Sequence, residues 1–501
     1  MDRTLRILLA LVSLYTVSLV ACYASNLFGV KRHNVESACF IFGAVVVARV
    51  LSTGTVDSLA RYEASRKPTV LIVLVGVAVL SGGIGVGLLS DDYVLRRWIE
   101  AGHLRWVGPQ FARPVAQGLW SVVFTAGGGA TSLHVLNITL HILNSILVWR
   151  LGATLGLTPR SAYVAAAVFL LWPTQVEPVV WAAGIFDVLS TFFMLTALSV
   201  THTARPTISR AVETPLVATL TLLALFSKES AVALPGLFLL TRYWASARVF
   251  GSARDRMLFL TMLSCTAAYF GWRLWAQLPL ESGVVVSRYV LKEQISRTIA
   301  SLALPVSETT ARSHPWLAAA VSSFVPVLVA ISLCRPGRKW LGIGLSLRGA
   351  AWCVIAAAPT VGLLVVGAYL DGSRYLYCAT LGWGFLVGGL LDSVGDNPIL
   401  ERAAVSSALA VLVLVGIEQQ LRLADWRGAA VERDRLLAEA IGLADRSECR
   451  TVSVSGLPPR FQGAQLFNNG FSEALDASRP IVTGHRQCEW RWTGIAFEEV
   501  H

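Results

Sequence analysis

The chain is short of charge. Charged residues make up 15% of its 501 positions, where a soluble domain of this length carries about a quarter. Lysine is scarcer still, occurring only at Lys31, Lys67, Lys228, Lys292 and Lys339. That bias toward arginine fits a bacterial gene of high GC content. No CxxC pair and no Cys/His spacing is present, which excludes a zinc motif of the usual kind. There is no short-period repeat, and no cleavage pattern follows the first apolar run, so residues 5–20 read as a retained span. A net charge of +11 invites a nucleic-acid reading. The basic residues, however, fall in short clusters between apolar runs, as orientation signals do, so no nucleic-acid partner is expected.

What is abundant is apolar: hydrophobic residues reach 54% and mean hydropathy is +0.60. The excess arrives as runs at 5–25, 38–50, 69–89, 133–151, 162–172, 179–200, 214–226, 231–244, 257–274, 316–334, 349–370, 375–391 and 403–417. The expectation is an all-α polytopic membrane protein with about thirteen spans, several of them shorter than the roughly 20 residues of a full crossing. With Arg3 and Arg6 in the cytoplasm, alternation puts on the same side Arg61, Arg66, Lys67, Arg150, Arg160, Arg205 and Arg210. It also puts there Arg242, Arg248, Arg254, Arg256, Arg335, Arg338, Lys339 and Arg348; Lys31–Arg32 is the exception.

The same rule makes 162–200 a hairpin turning at Trp172–Pro178, and 214–244 a hairpin turning at Ser227–Ser230, both outside. Three larger pieces then lie outside: 90–130, 277–315 (short surface helices) and a tail at 418–501. The tail reads as a small α/β appendage, helical over 419–443 and strand-like over 451–455. It carries Cys449 and Cys488, for which an oxidising compartment predicts a disulfide. The other six cysteines sit in or beside apolar runs, as small buried hydrophobes do. The domains so drawn are 1–68 (first spans), 69–417 (main transmembrane module) and 418–501.

Chemistry-bearing residues recur at the outer turns. Asp91–Asp92–Tyr93 opens the first loop; such a pair supplies a general base or a metal ligand, or is simply a solvated helix terminus. Arg113–Pro114 adds a cation to that loop. Gly82, Gly83, Gly85 and Gly87 lie in a span on this reading, where close helix packing suits them better than phosphate binding. His134, Asn137, His141 and Asn144 share one helix face, as polar glue or, for His134 above all, as a ligand-facing stripe. Glu177 sits on the second outer hairpin and Asp187 about two and a half turns into the following helix, where an ionised carboxylate demands a partner. Lys228–Glu229 and Asp371–Gly372–Ser373–Arg374–Tyr375 repeat the pattern. Arginine and lysine suit a lipid phosphate, and carboxylates suit proton abstraction.

In that order these motifs resemble the GT-C class of membrane glycosyltransferases, most nearly the branch with protein O-mannosyltransferases and TPR-containing O-mannosyltransferases. The resemblance runs over Asp91–Asp92–Tyr93, Arg113–Pro114, Leu133–Asn137 with His141, Trp172–Glu177 with Asp187–Leu189, Ser227–Ser230 and Ser373–Tyr377, within residues 88–391. It implies inverting transfer of a sugar from a polyprenyl-phosphate carrier to a protein, lipid or glycan acceptor on the extracytoplasmic face. It implies Asp91 or Asp92 as base and Lys228 and Arg374, with Arg113, as holders of the carrier phosphate. His134, Asn137, Glu177, Asp187, Glu229 and Tyr375 are expected to position substrate. No cofactor is required in this branch, although other GT-C branches use a divalent metal. Trp172–Pro173 stands where the family has His-Pro, the spans before residue 69 have no counterpart, and TPR repeats are replaced by the tail. The rival readings are a secondary transporter, which would place polar groups near the bilayer midplane, and a surface-polysaccharide ligase or polymerase using a lipid-linked donor. The expected location is a bacterial cytoplasmic membrane, N-terminus inside and tail outside.

Overall fold

The computed structural model describes residues 67–101, 113–202, 210–246, 251–276, 288–333, 339–360, 366–394, 398–478 and 486–499. The expected spans at 5–25 and 38–50 lie outside the described residues, as do the charges placed before Lys67 and at Arg205, Arg248, Arg335 and Arg338. The described chain is mostly helical with a small C-terminal strand part. Its helices are α1 (Lys67–Leu80), α2 (Asp91–Glu100), α3 (Pro114–Thr125), α4 (Ala130–Thr154), α5 (Pro159–Leu171), the short α6 (Val176–Val180) and α7 (Ile185–Thr201). There follow α8 (Arg210–Ser227), α9 (Leu234–Ser246), α10 (Ala253–Trp275), α11 (Arg288–Ala303), α12 (Glu308–Ser313), α13 (Pro315–Leu333) and α14 (Lys339–Ala357). The last are α15 (Tyr377–Ser393), α16 (Pro398–Arg446) and α17 (Phe471–Ser478).

The count of about thirteen spans is not met. Among the described residues three helices are long and apolar enough to cross a membrane: Ala130–Thr154, Ala182–Thr201 and Arg402–Arg446. A fourth is reached if Pro159–Leu171 and Pro173–Val180, bent by 51° at their break, form one span. Other apolar runs fold into shorter helices, at Pro68–Gly83, Val212–Ser227, Pro315–Val329 and Gly344–Ala357. The run at 349–370 does not make one helix: α14 ends at Ala357, two residues before Pro359, which lacks the donor a further turn needs. By contrast, the apolar run at 403–417 and the charged stretch after it are one helix of 49 residues, about 73 Å long at 1.5 Å per residue. The boundary drawn at 418 therefore falls inside α16.

The centre of the bundle is α4, buried on nearly every face and flanked by α5 and α7. Close approach elsewhere depends on α15. A side chain at Gly382 or Gly389 would meet the backbone of α14 (Cys353 N and Ser346 N, both 2.7 Å away), and one at Gly388 would meet Ser161 O of α5 at 2.8 Å. Glycines on both sides of one helix let its two neighbours pack backbone to backbone.

The Gly-rich segment is not inside a span. Helix α1 stops at Leu80, a 3-10 turn covers Ser81–Gly83, and the chain is irregular from there to Ser90. Arginines of α16 fill the space that the missing side chains leave. Arg433 donates to Val86 O (2.9 Å) and Leu88 O (2.7 Å), and Arg427 donates to Gly82 O (3.1 Å). A buried carbonyl left without a partner costs about 1–3 kcal/mol, so the two Arg433 contacts stabilise an otherwise irregular stretch.

The tail continues this packing. Strands β1 (Cys449–Ser455), β4 (Arg486–Trp492) and β5 (Phe497–Glu499) form a sheet ordered β1-β4-β5, with β1 parallel to β4 and β4 antiparallel to β5. A disulfide joins Cys449 to Cys488 across the first pair. Between them β2 (Arg460–Phe461) and β3 (Ala464–Gln465) make a small hairpin. Phe467, Phe471, Trp490, Trp492 and Phe497 pack as an aromatic cluster. They belong to the same buried core as Leu436 and Ala440 of α16, so tail and bundle share one hydrophobic interior.

Candidate functional site

The site is assembled from turns that interrupt the helices of the bundle. The first runs from Leu89 into α2 through Ser90, held at φ 50° and ψ −120°. A serine in that region is strained by about 1–3 kcal/mol, and such strain persists only where surrounding contacts fix it. It sends the next two carboxylates to different environments. Asp92 is fully buried, with one oxygen accepting from Leu89 N (2.9 Å) and the other from Ala183 N (2.8 Å). Burial pushes its carboxyl well above the usual range, against the pull of those two amides and of Arg433. Asp91 is partly exposed and accepts from Asn469 Nδ2 of the tail at 2.7 Å.

The second turn replaces the simple reversal expected between 162 and 200. After Trp172 the chain passes through Pro173–Gln175, α6 and Ala182–Gly184 as three short turns. Helix α7 consequently starts at Ile185, and Asp187 stands in its first turn rather than two and a half turns deep. An acidic residue there faces the positive end of the helix dipole. Lys228 and Glu229 occupy the break between α8 and the 3-10 turn Glu229–Ala233, and Arg374 and Tyr375 lie in the turn Ser373–Leu376 that leads into α15. Arg113 precedes Pro114, whose ring suits the first position of α3.

These turns converge as three cation–carboxylate pairs. Lys228 Nζ bonds Asp187, with both side chains nearly inaccessible. Arg113 forks onto Glu229, Nε to Oε2 at 3.0 Å and the second nitrogen to Oε1 at 2.5 Å. Arg374 bonds Glu177, which also accepts from Ser373 Oγ and Arg374 N, both at 3.3 Å. Aromatic faces join the pairs. Tyr375 lies 4.7 Å from Lys228 Nζ and 4.6 Å from the Arg374 guanidinium, Trp181 lies 4.8 Å from Arg374, and Phe186 lies 5.1 Å from Arg113. Tyr375 OH also accepts from Arg374 at 2.8 Å. Burial raises the Glu229 carboxyl, but Arg113 and then Lys228 outweigh it and hold the group at about 2.

A pH test follows from that depression. Glutamate in the unfolded chain titrates near 4.3, so the Glu229 pairing contributes fully above that value and is lost as pH falls through about 2. The stability difference between the unmodified chain and Glu229→Gln is expected to shrink across that window and to be constant above about pH 5. Thermal unfolding in detergent, followed from about pH 7 down to about pH 2.5, reads it. A difference that grew on acidification would contradict the pairing.

Other expected site residues stand behind this cluster. His134 and Asn137 are fully buried: the His134 ring bonds Gly87 O at 3.0 Å, and Asn137 donates to Trp181 O at 2.9 Å and Ala182 O at 3.3 Å. His141 and Asn144 meet Tyr377 OH at 2.8 and 3.0 Å. The polar stripe thus braces the irregular turns from inside the bundle. Asp91 and Asp92 are not part of the ion-pair cluster; Asp92 reaches it through the Ala183 amide, four residues ahead of Asp187. Asp371 pairs with Arg460 of the tail.

Several participants carried no local signal. Asn469 lies 378 positions from Asp91, Arg433 lies 347 and 345 positions from Val86 and Leu88, and Arg460 lies 89 positions from Asp371. Tyr269 and Arg273 of α10 enter the surroundings of Glu229 and Arg113 from a run that reads as plain apolar helix. Among the described residues no group of three or more His, Cys, Asp or Glu is placed to hold a metal ion. Comparisons with protein-family models, with curated proteins and with solved structures find no match.

Proposed function

We propose that the chain is a membrane-embedded glycosyltransferase of GT-C type, moving a sugar with inversion from a polyprenyl-phosphate carrier to an acceptor hydroxyl on the extracytoplasmic side. The observation that carries this reading is the convergence of Lys228, Arg374 and Arg113, each with its own carboxylate, on turns that adjoin the one carrying Asp91. A membrane setting is supported by large apolar side chains left exposed on helices, among them Leu74, Leu263, Leu347, Val354 and Val413. Trp275 and Trp316 are also exposed, each at a helix end, where interfacial aromatics belong.

In this reading the acceptor hydroxyl loses its proton to Asp91 and its oxygen attacks the anomeric carbon. The bond from that carbon to the phosphate oxygen breaks, and the electron pair leaves on the phosphate. Lys228 and Arg374 stabilise the charge that develops there, since an ammonium has three donors and a guanidinium five, more than their carboxylates use. The carboxylates hold these cations aimed. Asp92 anchors the turn and is not the base.

The test is incubation of membranes containing the chain with radiolabelled polyprenyl-phosphate sugars, followed by anomeric analysis of the product. Expected is a labelled product of inverted configuration. Retention of configuration, or no transfer from any such donor, overturns the proposal. A transporter reading draws on the broken helix at Trp172–Pro173; uptake of free solute without transfer would favour it.

A further inference from the structure

The turn that holds the base and the turn that holds one phosphate-binding cation both touch a single stretch of the tail, residues 460–470. At the first turn, Ser90 N donates to Leu466 O at 3.0 Å, Asn469 N donates to Ser90 Oγ at 3.3 Å, and Asn469 Nδ2 donates to Asp91 Oδ1 at 2.7 Å. At the second, Arg460 pairs with Asp371, and Arg422 of α16 fixes the stretch by donating to Gln462 O at 2.8 Å. Asp371 is three residues before Arg374.

Backbone conformation marks the same junction. Four non-glycine residues have positive φ among the described residues, and three of them are Ser90, Leu370 and Gln462. Gly463 and Gly470, also at positive φ, lie where a side chain would run into Tyr369 and into the Ser90 carbonyl, respectively. Each strained turn of the bundle is therefore matched by a glycine of the tail that fits against it. This register holds Asp91 and the Asp371–Arg374 turn at a fixed separation.

We propose that residues 460–470 are a positioning clasp, in which Asn469 aims the Asp91 carboxylate and Arg460, through Asp371, sets the turn that carries Arg374. The proposal rests on the glycosyltransferase reading, and it assigns separate kinetic duties to two tail residues. Asn469 acts on the base, hence on turnover. Arg460 acts on the carrier site, hence on donor binding as well as on departure of the phosphate.

The experiment measures kcat and the donor KM for transfer from a polyprenyl-phosphate sugar by the full chain in detergent or vesicles. Asn469→Leu, close in volume but without a donor, is expected to lower kcat about tenfold, the size of one hydrogen bond to a charged group, with donor KM within about twofold. Asn469→Gln, which keeps the donor, is expected to recover part of the loss. Arg460→Met is expected to raise donor KM about threefold or more and to lower kcat by about the same factor, and Arg460→Lys to restore both. Folding is checked by the Cys449–Cys488 disulfide on a non-reducing gel, and Asn469→Asp serves where the leucine variant does not fold. If the unmodified chain transfers sugar and the Asn469 variants match it, the clasp is refuted and the functional reading stands. Parallel losses in kcat, KM and folded yield for both residues would make the stretch a mere prop and also refute the clasp. If the unmodified chain transfers from no such donor, the functional reading fails and the clasp fails with it.

Discussion

Asp91→Asn is expected to lower sugar transfer by about 10²–10⁴-fold, the range set by loss of a general base, in a protein that folds normally. Asp92→Asn is expected to act on the fold first. Its side chain receives two backbone amides, Leu89 N and Ala183 N, one on each oxygen. An asparagine in the same place offers one oxygen and turns an NH2 group toward the other donor, so a buried N–H is left without an acceptor. That costs about 1–3 kcal/mol and loosens the turn on which Asp91 stands. The Asp91 variant keeps its tether in altered form, because Asn469 still has an amide oxygen to face. Thermal unfolding in detergent and transfer from a radiolabelled donor, measured side by side on both variants, separate the two. Normal transfer by a folded Asp91→Asn protein would remove Asp91 as base. A stable but inactive Asp92→Asn protein would move that role to its neighbour.

The sequence could place these two carboxylates at a loop start but could not divide their labour. Periodicity locates helices, and the order Asp91, Arg113, Glu177, Lys228, Arg374 was legible because each sits where an apolar run breaks. Which neighbour points inward depends on the φ of Ser90, and that is fixed by the tail, through Leu466 and through Asn469, 379 positions further on. Separation along the chain likewise hid Arg460, the partner of Asp371. The apolar run alone sets Asp187 too deep because it does not show where the helix begins. The chain around Pro178 and Gly184 breaks into short turns first, and a side chain at Gly184 would clash with the Pro178 backbone. The excess of expected spans has a related cause. Apolar residues report burial, and burial inside this bundle satisfies them as well as lipid does. Helices α5 and α9 therefore read as spans although each is too short to cross about 30 Å straight. The His134–Asn144 stripe reads as a face in the sequence, but the turns it braces lie 44 to 47 positions away along the chain.

Lys228→Met is expected to destabilise the fold by about 3–5 kcal/mol, because it leaves Asp187 buried without its counter-charge. Both partners are nearly inaccessible, at 3% and 8% side-chain exposure, so solvent cannot replace the lost ammonium as it would at a surface pair. Asp187→Leu carries a comparable cost for the mirror reason. The double change Lys228→Met with Asp187→Leu removes both charges and is expected to be more stable than either single variant, a coupling that a double-mutant cycle in detergent measures directly. If the pair were only a structural element, the restored double variant would transfer sugar as the unmodified chain does. If Lys228 holds the carrier phosphate, stability returns and transfer does not, since the ammonium that stabilised the departing phosphate is gone along with its partner. Recovery of stability without recovery of transfer is the expected result, and it assigns the buried pair to chemistry on grounds that a fold defect cannot imitate.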